Sequence, residues 1–343
     1  MTIRLFTYLY RHLVLRNFEG MMSSKLDTVK RKAEDDSVIE SDPQTKSNRK
    51  RMHSSIGDKY EETEYYFEGY LRKVYPYYYN YNAWCKGRWL GCKIYDVIKK
   101  EFRALPEKAL LERFETGQTL VNGERVTADY ILKNNDFISS KVHRHEIAVL
   151  ACKIQVLHED NDFVVVDKPP SMPVHACGRY RYNSVLAILY KDYGYADLRI
   201  CHRLDRLTSG ILMFAKTQAA ANRMSRAITD RFVHKEYLAR VEGDFPDGDI
   251  VCEQPVLPLS HKIGVCIVDK EGKECRTEFK RVSSFGDGTS LVQCFPKTGR
   301  MHQIRLHLQY LGYPIVNDPL YNSNSFGKDK GKNGNYGLTK EEV

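Results

Sequence analysis

The chain has 343 residues, 42% hydrophobic and 28% charged, enough for a large core in one to three domains. A net charge of +9 at pH 7 favours an anionic partner, and no uninterrupted apolar run is long enough to span a bilayer. The nine cysteines, odd in number and never spaced C-x-x-C, exclude a disulfide framework and the usual zinc spacing, and read as reduced core residues of an intracellular protein.

Residues 1–60 read as a tail, disordered because 23–60 are polar, charged and poor in apolar side chains. Its first stretch, MTIRLFTYLYRHLVLRNF, carries Arg4, Arg11 and Arg16 and no acid, as a mitochondrial transit segment does. KRK (30–32) and NRKR (48–51) look like nuclear-type basic clusters, so cytoplasm, nucleus and mitochondrion all stay open. A connecting segment over 61–90 follows, dense in tyrosine: EYYFEGYLRKVYPYYYNYNAW (64–84). Such rings are expected to bury area against the main domain, base stacking beside Arg72 and Lys73 being their other use.

Residues 91–145 read as a small α/β module. Leu110, Leu111 and Phe114 predict a helix, and Gly117 is placed to end it. Asn122-Gly123 marks a hairpin, and KNND (133–136) a second turn before Phe137-Ile138. The stretch ETGQTLVNGERVTADYILKNNDFI (115–138) resembles the helix–VNG–strand pattern of the S4 RNA-binding domain, with KGRWLGCKIYDVIKKEF in place of that family's basic first helix. An RNA contact and a folded spacer both fit this module.

A second domain is expected over 146–322. Short β-rich runs appear at 163–169, 211–217, 236–243, 264–269, 275–282 and 290–295, with helical patterns at 184–192, 219–232 and 301–311. This order predicts an α+β domain on a largely antiparallel mixed sheet. Residues 323–343, rich in Gly, Lys and Asn, read as a flexible tail. From Arg199 to Arg240 nine bases accompany three acids, Asp205, Asp230 and Glu236.

The densest charge stands in HRLDRLTSG (202–210), just before the apolar run Ile211–Ala215. An aspartate is a nucleophile only while ionised, and flanking guanidiniums favour the ionised form. Thr208, Ser209 and Gly210 suit a tight turn into the strand. A structural Arg–Asp cluster at a strand end is the plainer reading of an isolated R-x-D. Farther on, 300–311 reads as a helix, with Thr298 as its cap and Gly312 beyond its end. His302 and Arg305 would share one face, and Ile304, Leu308 and Leu311 an apolar stripe.

Four ordered blocks resemble the RluA-type pseudouridine synthase family, in its eukaryotic branch, over roughly residues 90–322. They are VVVDKPPSMPVHACG (164–178), HRLDRLTSGILMFAK (202–216), KEYLARVEG (235–243) and KTGRMHQIRLHLQYLGYPIVNDPLY (297–321). The resemblance implies that family's catalytic fold after an S4-like module, and isomerisation of uridine in RNA: tRNA first, mRNA second. It implies no metal, no cofactor, no membrane and a monomer without an obligate protein partner. The uracil would be detached from C1′, turned and rejoined through C5, and a shielded uridine must first leave its stack. Asp205 would be the nucleophile, at C1′ or C6, or would assist proton removal at C2′. Tyr237 would wall the base pocket, with Ile304 lining it, and Arg305 would keep the carboxylate charged. Arg203 would enter the gap left by the flipped base. Lys168 would shape the cleft, and His202, Thr208, His302, Arg223 and Arg226 complete the candidate substrate-binding set.

Two other classes compete. One is an RNA-binding protein of the same fold without activity, against which the intact Asp205, Tyr237 and Arg305 set argues. The other is a different nucleobase enzyme: His234-Lys235-Glu236 matches the H-x-E half of a zinc deaminase site, but no P-C-x-x-C follows.

Overall fold

The structure is a computed structural model and describes residues 60–101, 106–260 and 264–337. Of the tail expected over 1–60, all but Tyr60 lies outside the described residues. The chain parts into two units after Thr217.

In the first unit the strands are β1 (Tyr65–Glu68), β2 (Leu71–Val74), β3 (Tyr77–Trp84), β4 (Thr119–Val121), β5 (Glu124–Arg125), β6 (Phe137–Arg144), β7 (Val149–Leu150), β8 (Gln155–Glu159), β9 (Phe163–Lys168), β10 (Arg199–Ile200) and β11 (Gly210–Ala215). Its helices are α1 (Ile94–Glu101), α2 (Glu107–Glu115) and α3 (Val185–Tyr193). They form three antiparallel sheets, ordered β1-β2-β7, β3-β6-β4-β5 and β10-β11-β9-β8.

The tyrosine-rich stretch is not a connector. Residues 77–84 form β3, paired with β6 from Tyr77↔Arg144 to Trp84↔Phe137. Alternation along the strand buries Tyr77 in a cluster with Val74 and Tyr182, while Tyr78 and Trp84 point outward and stay exposed. The expected burial of the rings therefore holds for only some of them. Beneath the sheet, Trp89, Ile94, Val97 and Ile98 meet Leu110, Phe114, Val121, Leu132 and Ile138. Asn122 and Gly123, at φ 54° and 87°, make the two-residue turn between β4 and β5.

The run Phe163–Val166 is at most 2% exposed because β9 lies inside its sheet, between β8 and β11. The register sets Gly210 opposite Lys168, so the HRLD loop enters β11 beside the end of β9. Helix α3 starts at Ser184, whose Oγ accepts the Ala187 N–H, and stops at Gly194 in the left-handed region at φ 76°.

The second unit holds α4 (Gln218–Thr229), β12 (Tyr237–Glu242), β13 (Asp249–Cys252), β14 (Val256–Ser260), β15 (Val265–Val268), β16 (Thr277–Ser284), β17 (Thr289–Pro296) and α5 (Gln303–Tyr310). Strands β12-β17-β16-β13 form an antiparallel sheet, and β14-β15 a separate pair. Leu308 of α5 packs on the sheet with Ala239, Val241, Phe245, Phe279, Val292 and Cys294. Leu306, on another side of α5, packs with Val265, Ile267, Tyr321, Phe326 and Tyr336. The flexible tail expected from residue 323 is thus corrected as far as residue 337. Phe326 and Tyr336 outweigh the polar residues around them, and Tyr336 Oη accepts the Val268 N–H at 2.7 Å.

The architecture is α+β. The cysteines are free, and four of them, Cys252, Cys266, Cys275 and Cys294, are buried. Cys92, Cys152 and Cys177 are exposed in loops, so the core reading fails for these three. No helix among the described residues is long and apolar enough to cross a membrane.

Candidate active site

The candidate residues fall in both units. In the first, the HRLD loop is held from below by a lysine. Lys168 ends β9 and is fully buried. Its Nζ donates to the carbonyls of Thr208 at 2.7 Å, Pro169 at 2.9 Å and Arg206 at 3.2 Å. Burial pulls the ammonium pKa down to about 8, against the pull of the Asp205 charge, and Arg206 lowers it further. Lys168 therefore ties the turn that carries Asp205 to the central strand.

The turn closes when Thr208 N–H donates to the Asp205 carbonyl at 3.1 Å. Leu204 is buried, Asp205 half-buried, and Arg203 and Arg206 exposed. The loop thus anchors on one apolar side chain and turns its guanidiniums outward. Arg206 lies 5.8 Å from the Tyr180 ring. The pKa of His175 is lowered, first by burial and then by the Arg203 charge, which places the VHACG segment beside the loop. His202 Nε2 accepts the Met213 N–H at 3.2 Å. Of the proposed RNA contacts, His202 and Thr208 thus make backbone bonds that shape the loop.

In the second unit, Tyr237 opens β12 opposite Cys294 and shares the inward face with Ala239 and Val241. Tyr237 and Ile304 both pack against the cluster that contains Leu308. The structure thus brings the expected wall and lining residues to one apolar surface. Lys235, two residues earlier, donates to the Thr298 carbonyl at 3.1 Å, and burial lowers its pKa.

Helix α5 starts later than expected, and Thr298 does not cap it. The N-cap residue is His302, in the left-handed region at φ 57° with no side-chain cap bond. Thr298 Oγ1 instead donates to Gln303 Oε1 at 2.8 Å. Gln303, buried, organises the turn: its Oε1 also accepts Arg300 N–H at 3.0 Å, and its Nε2 donates to the Arg276 carbonyl at 3.0 Å and Thr277 Oγ1 at 2.9 Å. A side-chain amide with two acceptor and two donor sites can join three segments in this way, and a cap hydroxyl cannot.

Arg305 is clamped by Asp318, a residue that no local pattern in the sequence marks out. Its Nε donates to Asp318 Oδ2 at 2.7 Å and its Nη2 to Oδ1 at 2.9 Å. Asp318 Oδ1 also takes the N–H groups of Leu320 and Tyr321, at 2.9 and 3.0 Å. Burial alone would raise the Asp318 pKa; the Arg305 and backbone bonds outweigh it and hold the carboxyl below its ordinary range. The guanidinium stands 4.8 Å from the Tyr321 ring. Tyr321 Oη accepts Cys266 N–H at 3.1 Å and shares a hydrogen bond with His302 Nδ1 at 2.9 Å.

On α4 Arg226 is exposed, opposite the buried Ala220 and Met224, while Arg223 is half-buried, one turn from Ala220 at the flank of that stripe. Among the described residues no group of three or more His, Cys, Asp or Glu side chains stands where it could hold a metal ion.

Taken separately, the first unit holds a carboxylate on an anchored turn, and the second an aromatic and aliphatic surface beside a clamped guanidinium. A family model described as RNA pseudouridylate synthase matches residues 162–310. The chain is 49% identical over 297 residues to Pseudouridylate synthase RPUSD2 of Homo sapiens, covering 86% of this chain and 54% of that protein. It is 38% identical over 328 residues to the mitochondrial tRNA pseudouridine(32) synthase of Saccharomyces cerevisiae, covering 94% of this chain and 70% of that one. The tRNA pseudouridine(31) synthase of the same yeast is 33% identical over 299 residues, covering 75% and 74%. The chain spans about half the length of the human relative, 54%, and 70% and 74% of the two yeast ones. By these matches the chain belongs to the RNA pseudouridylate synthase family.

Proposed function

We propose that the protein is an RNA pseudouridine synthase that isomerises uridines in tRNA, with mRNA as a second substrate class. Asp205 is the nucleophile, and Tyr237 and Ile304 offer the flipped uracil an apolar surface. Arg305 supplies the guanidinium that favours the ionised carboxylate. Arg203, exposed on the same loop as Asp205, fills the space the base leaves. The reading rests most on one observation: a buried ammonium, Lys168, gives two of its three carbonyl bonds to Arg206 and Thr208 of the turn that presents Asp205. A merely structural Arg–Asp cluster has no need of a buried cation beneath it, because burying one is costly. The names of the yeast relatives support tRNA as the substrate.

The test is incubation of the full chain with unmodified tRNA and mapping of pseudouridine by carbodiimide chemistry. Wild type is expected to give product, and Asp205→Asn none while still binding tRNA. Turnover by Asp205→Asn would remove Asp205 as nucleophile, and no product from wild type would leave an RNA-binding protein of this fold.

A further inference from the structure

The open face of the β3-β6-β4-β5 sheet carries a set of exposed rings, outside the residues assigned to catalysis. Residues paired across antiparallel strands point to the same side. Along β3 the outward residues are Tyr78, Asn80, Asn82 and Trp84, and their partners on β6 are His143, Lys141, Ser139 and Phe137. Tyr78 is 63% and Trp84 61% exposed, although each is a large ring that burial would favour. Rings gather at the two ends of this ribbon. Trp84 and Phe137 have centroids 4.8 Å apart, and Tyr78 and His143 are 4.9 Å apart. Tyr78 and Trp84 stand six positions apart along the strand, roughly 20 Å. Between them lies a belt of amide and hydroxyl groups with one ammonium, Lys141, whose Nζ stands 4.9 Å from the Tyr78 ring. Farther across the sheet, Leu120 and Arg125 continue this face. None of these outward residues is acidic.

We infer that this face binds a single-stranded stretch of the substrate RNA by stacking unpaired bases on the Trp84 and Tyr78 platforms. Two aromatic platforms flanking amides suit bases with exposed faces and edges, and the charge suits phosphates. Open four-stranded sheets with exposed aromatics stack two or three bases in the same manner. A protein partner would be expected to meet a mostly apolar centre with a polar rim, whereas here the polar belt is central and the rings lie at the ends. The inference rests on the proposed RNA substrate and adds where its unpaired nucleotides are held.

The test uses the full chain and an oligoadenylate of about eight nucleotides, which contains no uridine to isomerise. Trp84 is exposed and Trp89, the other tryptophan, is 3% exposed, so quenching on titration reports mainly Trp84. Saturable quenching is expected, with no equal effect from a duplex of the same length. By fluorescence anisotropy of labelled oligonucleotide, Trp84→Ala is expected to raise Kd about fivefold or more, and Trp84→Phe to stay near wild type. With full-length tRNA, Trp84→Ala should raise KM and leave kcat unchanged, whereas Asp205→Asn should abolish turnover and keep oligoadenylate binding. Unchanged oligoadenylate affinity in Trp84→Ala, or equal binding of the duplex, would overturn the inference even if wild type makes pseudouridine. A Trp84→Ala defect in a protein that makes none would instead keep this surface and reject the isomerase reading.

Discussion

Lys168→Met tests whether the lysine beneath the HRLD loop is there for the loop. Methionine keeps the apolar stem and removes the ammonium. Burial brings that ammonium from its ordinary 10.5 to about 8, a cost of about 3 kcal/mol at about 1.4 kcal/mol per pH unit. Against this stand three charge-assisted bonds, at 2.7, 2.9 and 3.2 Å. Each is worth about 1.5–3 kcal/mol, and the carbonyls of Pro169, Arg206 and Thr208 would lose their donor. With the carbonyls of Pro169, Arg206 and Thr208 left without their donor, the variant should lose about 2–5 kcal/mol of stability by urea unfolding at pH 7. Its kcat on tRNA should fall at least tenfold, because the Asp205 turn loses its anchor. The pH dependence has a definite sign. The folded pKa lies below the unfolded one, so between about 8 and 10.4 the unfolded chain binds more protons. The stability advantage of wild type over Lys168→Met should therefore grow as pH rises through that window, and stay flat below it. A variant within about 0.5 kcal/mol of wild type, or an advantage that shrinks across the window, would refute the anchoring role.

Asp318→Asn should destabilise the second unit by about 3–5 kcal/mol, because the Arg305 guanidinium would face an amide N–H in place of a carboxylate. The same carboxyl, held below its ordinary range, stabilises the fold above its unfolded value near 3.9 and stops doing so as pH falls through the lower folded value. Acid titrations of wild type and variant should therefore converge only at low pH. Binding of tRNA should weaken steeply with salt, as phosphate contacts from the basic 199–240 segment require, and a flat response would count against an RNA partner.

Strands and helices were legible where the pattern is local. The runs at 163–169 and 211–217 became β9 and β11 because β-branched and apolar residues sit side by side, and Asn122-Gly123 became a tight turn because both positions accept positive φ. The candidate site was legible as a set of motif letters. What holds those letters in place was not, because the bonds cross long stretches of chain. Lys168 reaches to Thr208, and Arg305 to Asp318, at separations no helical or strand period encodes. Thr298 looked like a cap from its position alone, and Gln303, a plain helical residue in the pattern, does the joining. The tyrosine-rich stretch was read by composition, which is blind to the alternation that makes it an edge strand.

Phe326 and Tyr336 reach back to Leu306, the neighbour of Arg305, and Lys332 lies against Gly312 at the far end of α5. The segment after the matched family region therefore acts as a clasp on the helix that presents the guanidinium. A version of this protein trimmed to the recognisable motifs would keep every residue assigned to chemistry and still leave that helix with one flank bare. Loss of order there would be mistaken for loss of a reactive group.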